Sequence, residues 1–102
     1  MVKKINLEEF KNINEEFILL DLYADWCGPC KMLAPFISEL SEEISNVAFF
    51  KVNVDEEEEL ATMFGVQAIP TIILLKNKQE ISRKIGFVPK VGLLNWIKEN
   101  TK

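Results

Sequence analysis

Hydrophobic residues along this chain change their spacing from one segment to the next, and each change marks a new element. From Phe17 to Tyr23 they run almost without interruption, the pattern of a strand buried on both faces of a sheet. From Leu33 onward, Phe36, Ile37, Leu40 and Ile44 recur at three- and four-residue intervals opposite Glu39, Glu42 and Glu43. That spacing predicts an amphipathic helix from about Pro29 to Ser45, with Pro29 suited to its first turn and Pro35 expected to kink it. Val47 to Val54 is a second strand-like stretch. Strand, helix and strand in succession imply a parallel pair with a right-handed crossover.

Shorter signals fill the rest of the chain. Val2 to Ile5 reads as a strand, and Asn6 followed by Glu9 reads as a capping box for a short helix carrying Leu7, Phe10 and Ile13. Asp55 with Glu58 reads as the cap of a third helix bearing Leu60, Ala61 and Phe64, which Gly65 ends. Thr71 to Leu75 and Glu80 to Ile85 read as a hairpin through Lys76-Asn77-Lys78-Gln79, where Asn77 tolerates left-handed geometry. Val91, Leu93, Leu94 and Ile97 build a last helix after Pro89. The expected order is βαβαβαββα, an α/β fold with an open mixed sheet of five strands and four helices on its two faces.

Composition narrows the function classes. A chain of 102 residues, 48% of them hydrophobic, is expected to be a single domain over residues 1–102 with one substantial core. The formal net charge is −4 and the lysines and arginine are dispersed, which argues against nucleic acid and anionic membrane as partners. The apolar runs around Ile18 and Ile72 are too short to span a bilayer. The opening segment reaches Glu8 and Glu9 before any apolar core forms, so a secretory signal is not expected and a reducing intracellular compartment is.

Trp26-Cys27-Gly28-Pro29-Cys30 holds both cysteines of the chain. Residues three apart on a helix are surface neighbours, so the two sulfurs are within reach of a disulfide. Three other readings compete. A structural staple closing only four residues contributes about 1.9 kcal/mol, against about 4.7 for a loop of a hundred, which makes this a poor use of a chain's only bridge. A closed zinc site wants four Cys or His ligands, and the chain has two cysteines and no histidine. Inert core thiols fit poorly with the turn-forming Gly28-Pro29 between them.

The redox reading also fits the position of the pair, at the end of the first long strand and the start of a helix, where open α/β folds place their sites. Cys27, at the helix N-terminus, is expected to be the nucleophile, favoured as thiolate by free backbone N–H groups and the macrodipole. Cys30, one turn inside, is expected to be more buried and to resolve the mixed disulfide. Asp21 interrupts an otherwise apolar strand. It is read as a buried proton acceptor for Cys30 with a raised pKa, against the alternative of a salt-bridged strand-end residue. Lys51 on the next strand is its natural partner, or else a lysine reaching the sheet edge. The acidic run from Asp55 to Glu59 reads as a solvated helix start, and Pro70 as a strand-opening proline whose default is trans.

Trp26 to Cys30, together with Phe17 to Tyr23, Lys31-Met32-Leu33-Ala34-Pro35, Lys51-Val52-Asn53-Val54-Asp55, Ile69-Pro70-Thr71 and Ile85-Gly86, resembles the thioredoxin family over essentially the whole chain. The resemblance implies the thioredoxin fold and a protein-disulfide reductase, with Cys27 as the exposed attacking thiol, Cys30 as the resolving thiol, and Asp21 and Lys51 as a buried pair beneath them. It also implies a cis Pro70, and an apolar patch of Trp26, Gly28, Pro29, Ile69, Pro70, Gly86 and Phe87 that receives substrate polypeptide. No bound cofactor is implied beyond the Cys27–Cys30 disulfide itself. The implied partners are disulfide-containing cytoplasmic proteins and an NADPH-dependent flavoprotein thioredoxin reductase, with the chain acting as a monomer. Lys78, where the family commonly has glycine, is expected to strain its turn, and Ala68 and Phe87 alter the patch.

Overall fold

The computed structural model describes residues 2–102. Nine elements follow in the order β1 (Lys3–Lys4), α1 (Leu7–Lys11), β2 (Phe17–Tyr23), α2 (Gly28–Glu43), β3 (Ala48–Asn53), α3 (Glu58–Met63), β4 (Thr71–Lys76), β5 (Gln79–Ile85) and α4 (Lys90–Asn100). The strands form one sheet in the order β1-β3-β2-β4-β5. β3 runs parallel to both β1 and β2, while β4 is antiparallel to β2 and β5 antiparallel to β4.

Strand β2 sits in the middle because its side chains are apolar on both faces. Phe17 and Leu19 pack with Leu33, Ile37 and Leu40 of α2 and with Leu93, Trp96 and Ile97 of α4. Ile18, Leu20 and Leu22 point the other way, into a second core with Phe10 of α1 and Leu60 of α3. By the two-residue period of a strand, Asp21 falls on the α2 side with Phe17 and Leu19. The sheet therefore delivers a carboxylate to the underside of the helix that carries the cysteines.

One sequence expectation changes. Asp55 does not cap α3: the helix begins two residues later than a cap at Asp55 requires, with Glu57 at its N-cap and no side-chain cap bond. Instead Asn53 Oδ1 accepts the backbone N–H groups of Asp55 and Glu56, forming a turn that leaves the Asp55 carboxylate free to bond elsewhere. Helix α2 runs on as one element through Pro35. The β4–β5 ladder has a register shift at Leu74/Leu75, which leaves Ile81 unpaired and 40% exposed.

Candidate active site

Cys27 is the N-cap of α2, in extended conformation, with Pro29 in the first turn. Its Sγ accepts the Cys30 N–H at 3.2 Å, and its carbonyl accepts the Lys31 N–H at 3.2 Å. This places one sulfur at the positive end of a sixteen-residue helix, where a backbone donor and the macrodipole lower the cost of a thiolate. Cys27 and Cys30 are joined as a disulfide, their Cα atoms 5.2 Å apart. In this oxidised state each cysteine is 4% exposed, so burial does not separate them as the sequence reading expected. The asymmetry is one of position, Cys27 at the cap and Cys30 inside the first turn.

Ala24, Tyr23, Val54 and Ile69 pack around the two sulfurs. The Ile69–Pro70 bond is cis, as the family resemblance implied and against the trans default. Around it the chain is tied locally: Thr71 Oγ1 donates to the Ala68 carbonyl at 2.6 Å, and the Gly86 N–H donates to the Pro70 carbonyl at 2.8 Å. Gly86 holds φ +90, which a side chain rarely adopts. Of the residues expected to form the patch, Trp26 is 71% exposed, Gly28 and Pro29 are exposed, and Ile69 and Gly86 are half-buried. Pro70 itself is buried. Phe87 turns toward α2, its ring 5.9 Å from that of Phe36.

Beneath the disulfide lies a cavity of about 140 Å³ lined by Asp21, Cys30, Lys31, Ala34 and Lys51, among others. Asp21 is 5% exposed and its Oδ1 has no hydrogen-bond partner among the described residues. Burial pushes its pKa up from 3.8 to about 7, with the Lys51 charge pulling the other way. Lys51 stands beside Asp21 in the β2–β3 register. It is half-buried rather than buried, and no ion pair joins the two among the described residues. Its ammonium lies 5.8 Å from the centre of the Tyr23 ring. The expected buried pair is thus a buried carboxyl and a half-buried lysine that line one cavity without an ion pair between them among the described residues.

Two features escaped the sequence reading. Trp26 Nε1 donates to Asp55 Oδ2 at 2.8 Å, fixing an exposed indole against the loop before α3. Lys31 lines the Asp21 cavity, although nothing in its helical position distinguishes it from a solvated lysine. No cluster of three or more His, Cys, Asp or Glu residues that could hold a metal occurs among the described residues. No helix among them is long and apolar enough to cross a membrane.

Comparison with known proteins agrees with this geometry. The family model described as Thioredoxin matches residues 1–99. A thioredoxin of Chlamydia caviae is 40% identical over 99% of this chain and 100% of its own, and one of Haemophilus influenzae is 42% identical over 97% and 96%. Among solved structures, a thioredoxin of Plasmodium falciparum superposes with TM-score 0.89 at 33% identity, covering 96% of this chain and 98% of its own. One of Malassezia sympodialis gives 0.88 at 31%, covering 100% and 92%.

Proposed function

The chain belongs to the thioredoxin family of thiol–disulfide oxidoreductases, and from that premise we propose that it works as a reductase of disulfides in cytoplasmic proteins. In this reading the reduced Cys27 thiolate attacks one sulfur of a substrate disulfide. A Cys27–substrate mixed disulfide forms and the other substrate sulfur leaves as a thiolate. Cys30 then gives its proton to Asp21 and attacks Cys27 Sγ. The Cys27–Cys30 bond closes, the second substrate thiol departs, and two electrons have passed to the substrate.

Asp21 suits the proton-accepting role because it shares the cavity with Cys30 and titrates near neutrality. Lys51 lines the same cavity and favours the ionised carboxylate. The exposed residues Trp26, Gly28 and Pro29, with Ile69, Pro70, Gly86 and Phe87 behind them, are assigned to substrate contact. An extended polypeptide would align there by backbone hydrogen bonds. Return to the dithiol requires an external reductant, assigned to an NADPH-dependent flavoprotein thioredoxin reductase acting on the monomeric chain.

The observation that carries this reading is the cysteine pair at the start of α2 beside a cavity, lined by Cys30, that also holds Asp21, whose Oδ1 has no hydrogen-bond partner among the described residues. The test is NADPH oxidation in the presence of thioredoxin reductase and insulin. The wild type is expected to support sustained turnover, Cys27→Ser none, and Cys30→Ser to stall as a mixed disulfide through Cys27. A folded wild type that reduces no disulfide with any dithiol donor would overturn the proposal.

A further inference from the structure

Asp21 and Tyr23 lie two residues apart on β2 and so face the same side of the sheet. Lys51 stands beside Asp21 in the parallel β2–β3 register and faces that side too, with Tyr23 as its diagonal neighbour. One ammonium therefore has two acceptors within reach, a carboxyl group and an aromatic face. The structure puts it on the ring: Lys51 Nζ lies 5.8 Å from the Tyr23 ring centre, and no ion pair joins it to Asp21 among the described residues.

The ring is itself braced. Tyr23 lines the Asp21 cavity and packs on the cysteine pair, while its hydroxyl faces the Asn53 side chain. Asn53 is buried, and its Oδ1 is held by the N–H groups of Asp55 and Glu56. The other ionisable groups at the cavity are Asp25 after β2 and Lys31 of α2, joined by Cys30 when the disulfide is reduced. β4 adds no charge, since Ile72 stands opposite Asp21. Asp25 and Lys31 are exposed and screened by water, whereas Lys51 is half-buried. The placement of Lys51 thus decides the charge that Asp21 meets.

We propose that Tyr23 is a positioning residue: its ring holds the Lys51 ammonium off Asp21, so that the carboxyl group stays free to take the proton of Cys30. The inference rests on the proton-accepting reading of Asp21 and adds the residue that keeps the acceptor unpaired. A close ion pair with Lys51 would hold Asp21 as a stabilised anion and weaken it as a base. A half-buried ammonium over an aromatic face is a contact able to compete with that pair.

The experiment follows the Asp21 carboxyl carbon by NMR as the oxidised protein is titrated. Tyr23→Phe keeps the ring and should keep the wild-type midpoint. Tyr23→Leu frees the ammonium and should lower the midpoint by about one pH unit. Lys51→Met should raise it by less than about one pH unit, because the wild-type ammonium is unpaired. In the Lys51→Met background, Tyr23→Leu should no longer lower it. A fall of the same size there would assign the effect to water entering the cavity and overturn the inference. A midpoint unmoved by Tyr23→Leu would overturn it too, as would a rise of about two pH units or more in Lys51→Met, a measurement that needs no leucine variant to fold. Rates of mixed-disulfide resolution across the same pH range should follow the same order of midpoints. Titrations in that order with rates that ignore them would count against Asp21 as the proton acceptor, and so against the proposed function rather than the contact.

Discussion

Asp21 is the residue at which stability and the proposed proton-accepting role pull in opposite directions. It is buried on a central strand with no hydrogen bond to Oδ1 among the described residues, and its pKa is pushed up from 3.8 to about 7 by loss of hydration. The folded chain therefore holds a proton there between about pH 4 and 7 that the unfolded chain has released. Stability is greatest at the acid end of that window and falls as pH rises through it, by up to about 4 kcal/mol if the whole shift is expressed. Asp21→Asn should flatten this slope and raise the melting temperature of the oxidised protein at pH 8. The same variant should slow release of the mixed disulfide on the order of a hundredfold. Urea melts at pH 5 and pH 8 read the first effect and single-turnover reduction the second. A wild type whose stability rises across that window would contradict the assignment. The chain thus keeps a destabilising carboxyl where an apolar residue would pack, and the interrupted strand pattern made that visible in the sequence.

Elements with long, regular patterns were legible, and elements decided by side-chain competition were not. Strand β2 occupies Phe17–Tyr23 as its apolar run predicted, and α1 carries the Asn6–Glu9 capping box. The start of α3 was misplaced because a sequence cannot show that Asn53 takes the two N–H groups and Trp26 takes the Asp55 carboxylate. The β4–β5 shift at Leu74/Leu75 likewise left no mark, since β4 is apolar at every position from Ile72 to Leu75 and its pattern shows no register of its own. The hairpin turn was read correctly, and its Lys78 does adopt the left-handed φ of 66°. The strain is partly offset by a bond from Lys78 Nζ to the Lys11 carbonyl at the end of α1 and by the ammonium resting 5.9 Å from the Phe10 ring centre. Replacing Lys78 separates the two contributions. Lys78→Ala keeps the backbone strain and loses the anchor, whereas Lys78→Gly loses both, so the glycine variant should be more stable than the alanine variant by about 1 kcal/mol in urea melts. Equal stabilities would mean that the turn is not strained.

At the scale of the whole molecule, the fold gathers residues from distant parts of the chain around one short motif. The sheet brings Asp21 of β2, Lys51 of β3, Ile69–Pro70 before β4 and Gly86 after β5 to the end of the sheet where α2 begins. Residues 65 positions apart in the chain, counted from Asp21 to Gly86, thereby meet at one end of the sheet. The motif and its topological place could be read from the sequence. The cis bond at Pro70 came only from the family resemblance, and the indole anchor from Trp26 to Asp55 emerged only in three dimensions. The central claim is that the pair runs in the reducing direction, with Gly28-Pro29 between the cysteines supplying no histidine to stabilise the dithiol form. Equilibrating Cys27 and Cys30 against defined ratios of reduced and oxidised glutathione tests it most directly. The account predicts a midpoint potential below about −250 mV, and a value at or above about −180 mV, where disulfide isomerases lie, would contradict it.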